Sequence, residues 1–116
     1  MTFEEQLAAL SDKFLRDYQR GDTSACAMAY TEDGIRMEAG SPTTSIGRDA
    51  IAAALKTSIS TGVQILNFVT TTAAADGSVG YAILTVETNF GDSRIMLAMK
   101  CTDDGRWLVA AEAIVD

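Results

Sequence analysis

At Val63 the spacing of apolar residues changes period. Before it they recur every three or four positions; after it they alternate. A chain with its helices first and its strands last folds by laying the helices on one face of an antiparallel sheet. The predicted class is therefore α+β. The second half divides into four β-rich segments, 63–75, 79–90, 94–102 and 107–115. They are separated by Asp76-Gly77, Gly91-Asp92-Ser93 and Asp103-Asp104-Gly105. Asp/Gly turns this short join antiparallel hairpins. In the first half Phe3, Leu7, Leu10, Phe14 and Tyr18 share one face of a helix over 3–20. Thr2 and Glu5 form its capping box and Gly21 ends it. Asp22 or Thr23 opens a short second helix reaching Tyr30. Glu32-Asp33-Gly34 reads as a turn. Residues 35–39 follow as a short strand, with Ile35 and Met37 on one side and Arg36 and Glu38 on the other. Residues 40–46 read as a loop. Ile51, Leu55 and Ile59 then stack along a third helix that opens at Gly47.

The 116 residues are one domain's worth, so the expected unit is residues 1–116. Lys plus Arg is 9 against 16 for Asp plus Glu, a net charge of −7. That field repels phosphate backbones and anionic lipid, so neither nucleic acid nor a membrane is an expected partner. The chain has no histidine, which removes Ser-His-Asp and Cys-His nucleophiles and every histidine metal site. Cys26 and Cys101 make neither a disulfide framework nor a four-cysteine site. They read as buried thiols in a reducing compartment. The acidic start, Thr2-Phe3-Glu4-Glu5, is unlike a signal peptide, and the expected location is cytoplasmic. No metal and no cofactor is expected. Both faces of segment 79–90 are apolar: Ala82, Leu84 and Val86 on one, Tyr81 and Ile83 on the other. One face belongs on the helices. The other is expected to meet a second copy of the chain, making a homodimer.

Four short motifs carry a resemblance. They are Tyr18 with Gly21-Asp22, Tyr30-Thr31-Glu32-Asp33, Gly47-Arg48-Asp49-Ala50-Ile51, and Asp104-Gly105-Arg106-Trp107. In this order, over nearly the whole chain, they resemble the nuclear transport factor 2-like superfamily, in its branch of SnoaL-like polyketide cyclases and ketosteroid isomerases. The resemblance implies a cone-shaped roll, three helices on a curved antiparallel sheet, with a pocket between them and usually a homodimer. It puts Glu38 where the isomerase keeps its proton-shuttling acid and Tyr30 on a tyrosine of its hydrogen-bond network. The isomerase's oxyanion-binding tyrosine falls on Phe14. Its oxyanion-binding acid falls on or beside Leu97, and Leu55 replaces a second network tyrosine. The base position is kept and the oxyanion hole is lost, so the steroid isomerase mechanism is not expected.

Two readings stand for Glu38. Aimed into the cone it is a desolvated general base; at the rim it pairs with Arg36. Glu112 is a lone acid in an apolar strand that alternates Leu108, Ala110, Glu112, Ile114. It faces either the pocket or solvent. If both acids enter the cone, like-charge coupling makes one an acid and the other a base. Glu38, Glu112 and Tyr30 are thus the catalytic candidates. Phe14, Tyr18, Met28 and Leu55 are candidate wall residues, with Leu97, Met99 and Ala110. A Glu87–Arg94 pair would resemble the acid–arginine–acid cluster of the superfamily's epoxide hydrolases, but the spacing does not reproduce that motif. The expected ligand is small, mostly apolar and carries a carbonyl or hydroxyl. The expected chemistry is cofactor-independent isomerisation, cyclisation or dehydration. A non-catalytic ligand-binding or dimerisation module is the alternative.

Overall fold

Thr2 starts the first helix as its sequence requires. Its hydroxyl accepts from the Glu5 amide while the Glu5 carboxylate accepts from the Thr2 amide, closing the capping box of α1 (Phe3–Gln19). The computed structural model describes residues 1–115. Asp22 caps α2 (Thr23–Ala27), which is shorter than predicted. Tyr30 is not the end of that helix but the first residue of β1 (Tyr30–Glu38). The expected loop contains a three-residue strand, β2 (Thr44–Ile46), and α3 (Arg48–Ser60) follows. The four long strands are β3 (Ile65–Asp76), β4 (Val79–Thr88), β5 (Gly91–Cys101) and β6 (Trp107–Ile114). The β4–β5 turn is Asn89-Phe90, earlier than the predicted Gly91-Asp92-Ser93, because Thr88 already pairs with Gly91.

The sheet runs β2-β1-β6-β5-β4-β3. The four long strands are antiparallel neighbours, as their turns predict. β1 joins the far side of β6 in parallel, which no local turn could announce. This pairing sets Arg36 opposite Glu112 and Glu38 opposite Ile114. Across the other edge of β6, Glu112 faces Leu97.

The helices cover the concave face. Leu7, Tyr18, Ile51 and Leu55 share one buried cluster there with Ala82, Leu84, Ile95 and Met99. Ile51 and Leu55, at 0% and 1% exposure, each contribute roughly 2 kcal/mol by leaving water. The convex face carries two apolar rows in register. One is Ile35, Ala111, Ala98, Tyr81 and Ala74; the other is Met37, Ala113, Met96 and Ile83, ending on the polar Thr72. Of these Met37, Tyr81 and Met96 are about half exposed.

Candidate functional site

β1 departs from regular pairing at its start. Between the pairs Tyr30–Val109 and Ile35–Ala111 the register shifts, and residues 31–34 bulge out. The predicted turn at Glu32-Asp33-Gly34 is this bulge. A Cβ on Gly34 would lie 2.9 Å from the Tyr30 Cβ, so only glycine lets the chain fold over Tyr30 so closely. The Gly47-Arg48 motif holds the same place. The Gly47 amide donates to the Gly34 carbonyl, and the Arg48 Nε and Nη2 donate to the Tyr30 carbonyl at 3.0 and 2.8 Å. Two motifs far apart in sequence thus fix one tyrosine.

The Tyr30 ring is buried, and its hydroxyl donates to Glu112 Oε1. Glu112 is buried at the centre of β6. Arg36, directly opposite, brings Nε to 3.3 Å from the same oxygen without hydrogen-bond geometry. That Nε is buried with no hydrogen-bond partner. The Arg36 Nη1 donates to Glu38 Oε1, an ion pair at the end of β1. The Glu38 side chain is 41% exposed against 9% for Glu112. The fully desolvated acid is therefore Glu112, and of the two readings of Glu38 the structure shows the rim pair with Arg36. One more pleat along β1 carries Glu38 toward the open end of the cone, where it pairs with Arg36.

Burial pushes the Glu112 carboxyl above its ordinary value of 4.5, although Arg36 and the Tyr30 hydroxyl pull the other way. Burial and the neighbouring Glu112 charge hold the Tyr30 phenol well above its usual range. Burial disfavours the Arg36 cation, but Glu112, Tyr30 and Glu38 outweigh it and raise its pKa.

Two adjoining cavities open on this cluster. The outer one has a volume of about 260 Å³, and its wall includes Arg36, Glu38, Glu112, Tyr18 and Leu55. The smaller one, inner in that it lies against the buried Tyr30, Leu7 and Leu84, is about 50 Å³, and its wall also includes Glu112, Leu97 and Val109. Phe14, Phe68, Ile95 and Glu112 line both. The structure thus brings both acids, Tyr30, Phe14, Tyr18, Leu55 and Leu97 around one site.

Three predicted wall residues lie elsewhere. Met28 is 52% exposed on a groove outside the cone, because α2 ends before it. Met99 is packed in the core away from both cavities. Ala110 yields its place to Val109. The β5–β6 register shifts between Ala98–Ala111 and Met99–Val109, so the alternation of β6 breaks at Ala110. Phe68 was missed. It sits in a strand of mostly exposed residues, and only its edge-to-face contact with Phe14, at 5.8 Å between centroids, marks it. Glu87 faces Asp92 in the ladder, and the acid–arginine–acid cluster is instead Glu38–Arg36–Glu112. Among the described residues no group of three acidic or thiol side chains is arranged to hold a metal ion.

No protein-family profile matches the chain, and no curated protein does. Solved structures match it closely in shape. A domain of unknown function with a cystatin-like fold from Nostoc punctiforme superposes with a TM-score of 0.84 at 15% identity. The match covers 99% of this chain and 78% of that one. An NTF2-like protein with a cystatin-like fold from Novosphingobium aromaticivorans gives 0.71 at 19% identity, covering 97% and 82%. A ketosteroid isomerase-like protein from Erwinia carotovora atroseptica gives 0.70 at 18% identity, covering 94% and 93%. The fold is thus the cystatin-like, nuclear transport factor 2-like roll. At these identities the likeness is one of fold, and function rests on the site.

Proposed function

We propose that the cone binds a small, mostly apolar molecule through a carbonyl or hydroxyl oxygen, and that it performs cofactor-independent acid–base chemistry on it. The observation that carries this reading is one outer cavity with both Glu38 and Glu112 in its wall and Arg36 between them. Their environments differ: one acid is buried and the other is half exposed. In this reading Glu112 is the donor: burial raises its carboxyl above the ordinary value, and the Tyr30 hydroxyl orients it. Glu38 is the acceptor.

In the reaction, Glu38 takes a proton from the carbon beside a carbonyl. The C–H electron pair becomes a C=C bond, and the carbonyl π pair moves onto oxygen, where the Glu112 O–H meets it. The donor lost at Phe14 and Leu97 is supplied from Glu112, on the strand position facing Leu97. Isomerisation, cyclisation or dehydration follows from that enolate. The same acid–arginine–acid composition favours a second reading, epoxide hydrolysis: the Glu38 carboxylate takes a proton from water, the water oxygen bonds to a ring carbon as its C–O bond breaks, and Glu112 gives a proton to the released oxygen.

Isotope exchange tests the chemistry. A simple ketone such as methyl heptyl ketone is incubated in D2O with the protein. Deuterium uptake beside the carbonyl, lost in Glu38→Gln, supports the enzyme. Ketone binding without uptake, together with no turnover of an epoxide panel, replaces it with a non-catalytic binding module. We also propose that the convex rows around Tyr81 and Met96 seat a second copy. Met96→Asp is expected to give a monomer in sedimentation, and a wild-type monomer at micromolar concentration removes the dimer.

A further inference from the structure

Glu112 stands at the boundary between the two cavities, and the aromatic pair Phe14–Phe68 lines that boundary with it. Resting on the binding mode proposed above, we infer that the site selects an unsymmetrical ligand: a ketone or secondary alcohol with one arm of methyl or ethyl size and one much larger arm. An oxygen held at Glu112 has its carbon at the junction. One substituent then enters the inner chamber and the other stays in the outer one.

The volumes set the asymmetry. A space of about 10–15 Å³ is the least that admits one water-sized group. The inner chamber, at about 50 Å³, takes a few heavy atoms and no ring. The outer chamber, at about 260 Å³, takes a chain or a ring. The inner walls are apolar apart from Ser11, Tyr30 and Glu112, so the small arm is an alkyl group. Phe14 and Phe68 meet edge to face with planes 75° apart, a geometry that holds both rings in place. Standing where the two cavities adjoin, they act as the specificity-determining pair.

Two ketones of one formula test this: methyl heptyl ketone, with unequal arms, and dibutyl ketone, with equal ones. Their dissociation constants are measured by NMR titration of the folded protein. The methyl ketone is expected to bind about tenfold more tightly, the size of discrimination an apolar pocket gives for a misplaced methylene. Phe14→Ala joins the chambers and is expected to reduce that ratio toward one. Ser11→Leu fills the inner chamber and is expected to weaken the methyl ketone toward the affinity of dibutyl ketone. Thermal melts of both variants confirm that they fold, and Phe14→Leu, which keeps most of the bulk, is expected to retain part of the preference.

Equal binding of the two ketones by the wild-type protein overturns the inference. So does a preference that survives both Phe14→Ala and Ser11→Leu. Glu112→Met, which removes the donor, separates this failure from failure of the binding mode. If Glu112→Met weakens both ketones equally and the wild type does not discriminate, only the arm selection is wrong. If neither ketone binds, or Glu112→Met changes nothing, the binding mode itself falls and the arm selection with it.

Discussion

Replacing Arg36 with methionine leaves two carboxyl groups on the cone wall without the cation between them. The guanidinium is 9% exposed, pairs with Glu38 and lies 3.3 Å from Glu112. Removing one partner of a buried charge pair costs about 3–5 kcal/mol when the other stays charged. Here the stranded acid has an escape: it takes up a proton. The cost is therefore set by pH. Burial already holds the folded pKa of Glu112 above its unfolded value, and loss of Arg36 moves it further the same way. Above the ordinary value of 4.5 the folded chain thus binds more protons than the unfolded chain, and stability falls as pH rises toward the folded pKa. At pH 8 Arg36→Met is expected to lose about 3 kcal/mol, or roughly 12 °C in melting temperature for a domain of this size. At pH 5 the loss is expected to be much smaller. Adding Glu112→Gln to Arg36→Met removes the titrating group and is expected to recover most of the loss at pH 8. Urea melts of the three variants at both pH values decide it. An equal loss at pH 5 and pH 8, or no recovery in the double variant, refutes the view that Arg36 balances a buried acid.

Three further outcomes follow from the structure. Asp17 is buried and bonded to Lys13 and Arg20 at 2.6 and 2.5 Å, and the Lys13 bond holds its carboxyl below the ordinary 3.8. That stabilisation is present above pH 3.8 and is lost as pH falls through the lowered pKa, so Asp17→Asn should flatten the acid limb of stability between pH 5 and 2, read by urea melts. Leu55→Ala is expected to cost about 2–3 kcal/mol, the low end for such a deletion, because Leu55 borders the outer cavity; chemical denaturation measures it. Burial pushes the Cys26 thiol up to about 12, so at pH 8 an aromatic disulfide reagent should label Cys101 well before Cys26, as mass spectrometry of the labelled peptides would show.

The helices and long strands were legible because each carries its own period and its own stop. Thr2 and Glu5, the Ile51–Leu55 face and the Asp/Gly turns are local signals, and local signals survive without knowledge of the fold. The failures lie where a residue's position depends on a distant strand. Glu32-Asp33-Gly34 has turn chemistry, yet it is a bulge, because β6 pairs on both sides of it. Ala110 has the right parity for the cavity, yet one irregularity in β6 hands that place to Val109. Glu38 and Glu112 were both found as acids, but depth in a cone is not written in alternation. Only the Arg36–Glu112 pairing shows which of them is desolvated.

The parallel joining of β1 to β6 also sets a timetable. The Tyr30–Glu112 hydrogen bond spans 82 residues, with every other strand of the sheet made in between or already waiting. As the chain emerges, β1 carries Tyr30, Arg36 and Glu38 as an unfinished half, its long edge open, until β6 arrives. Distant pairing of this kind is the slow part of folding, since the entropy of closing the loop must be met before any contact rewards it. A molecule that binds across Glu112 and Arg36 therefore recognises only chains in which β1 and β6 have paired. Through mass action it would draw the half-built population toward the finished one.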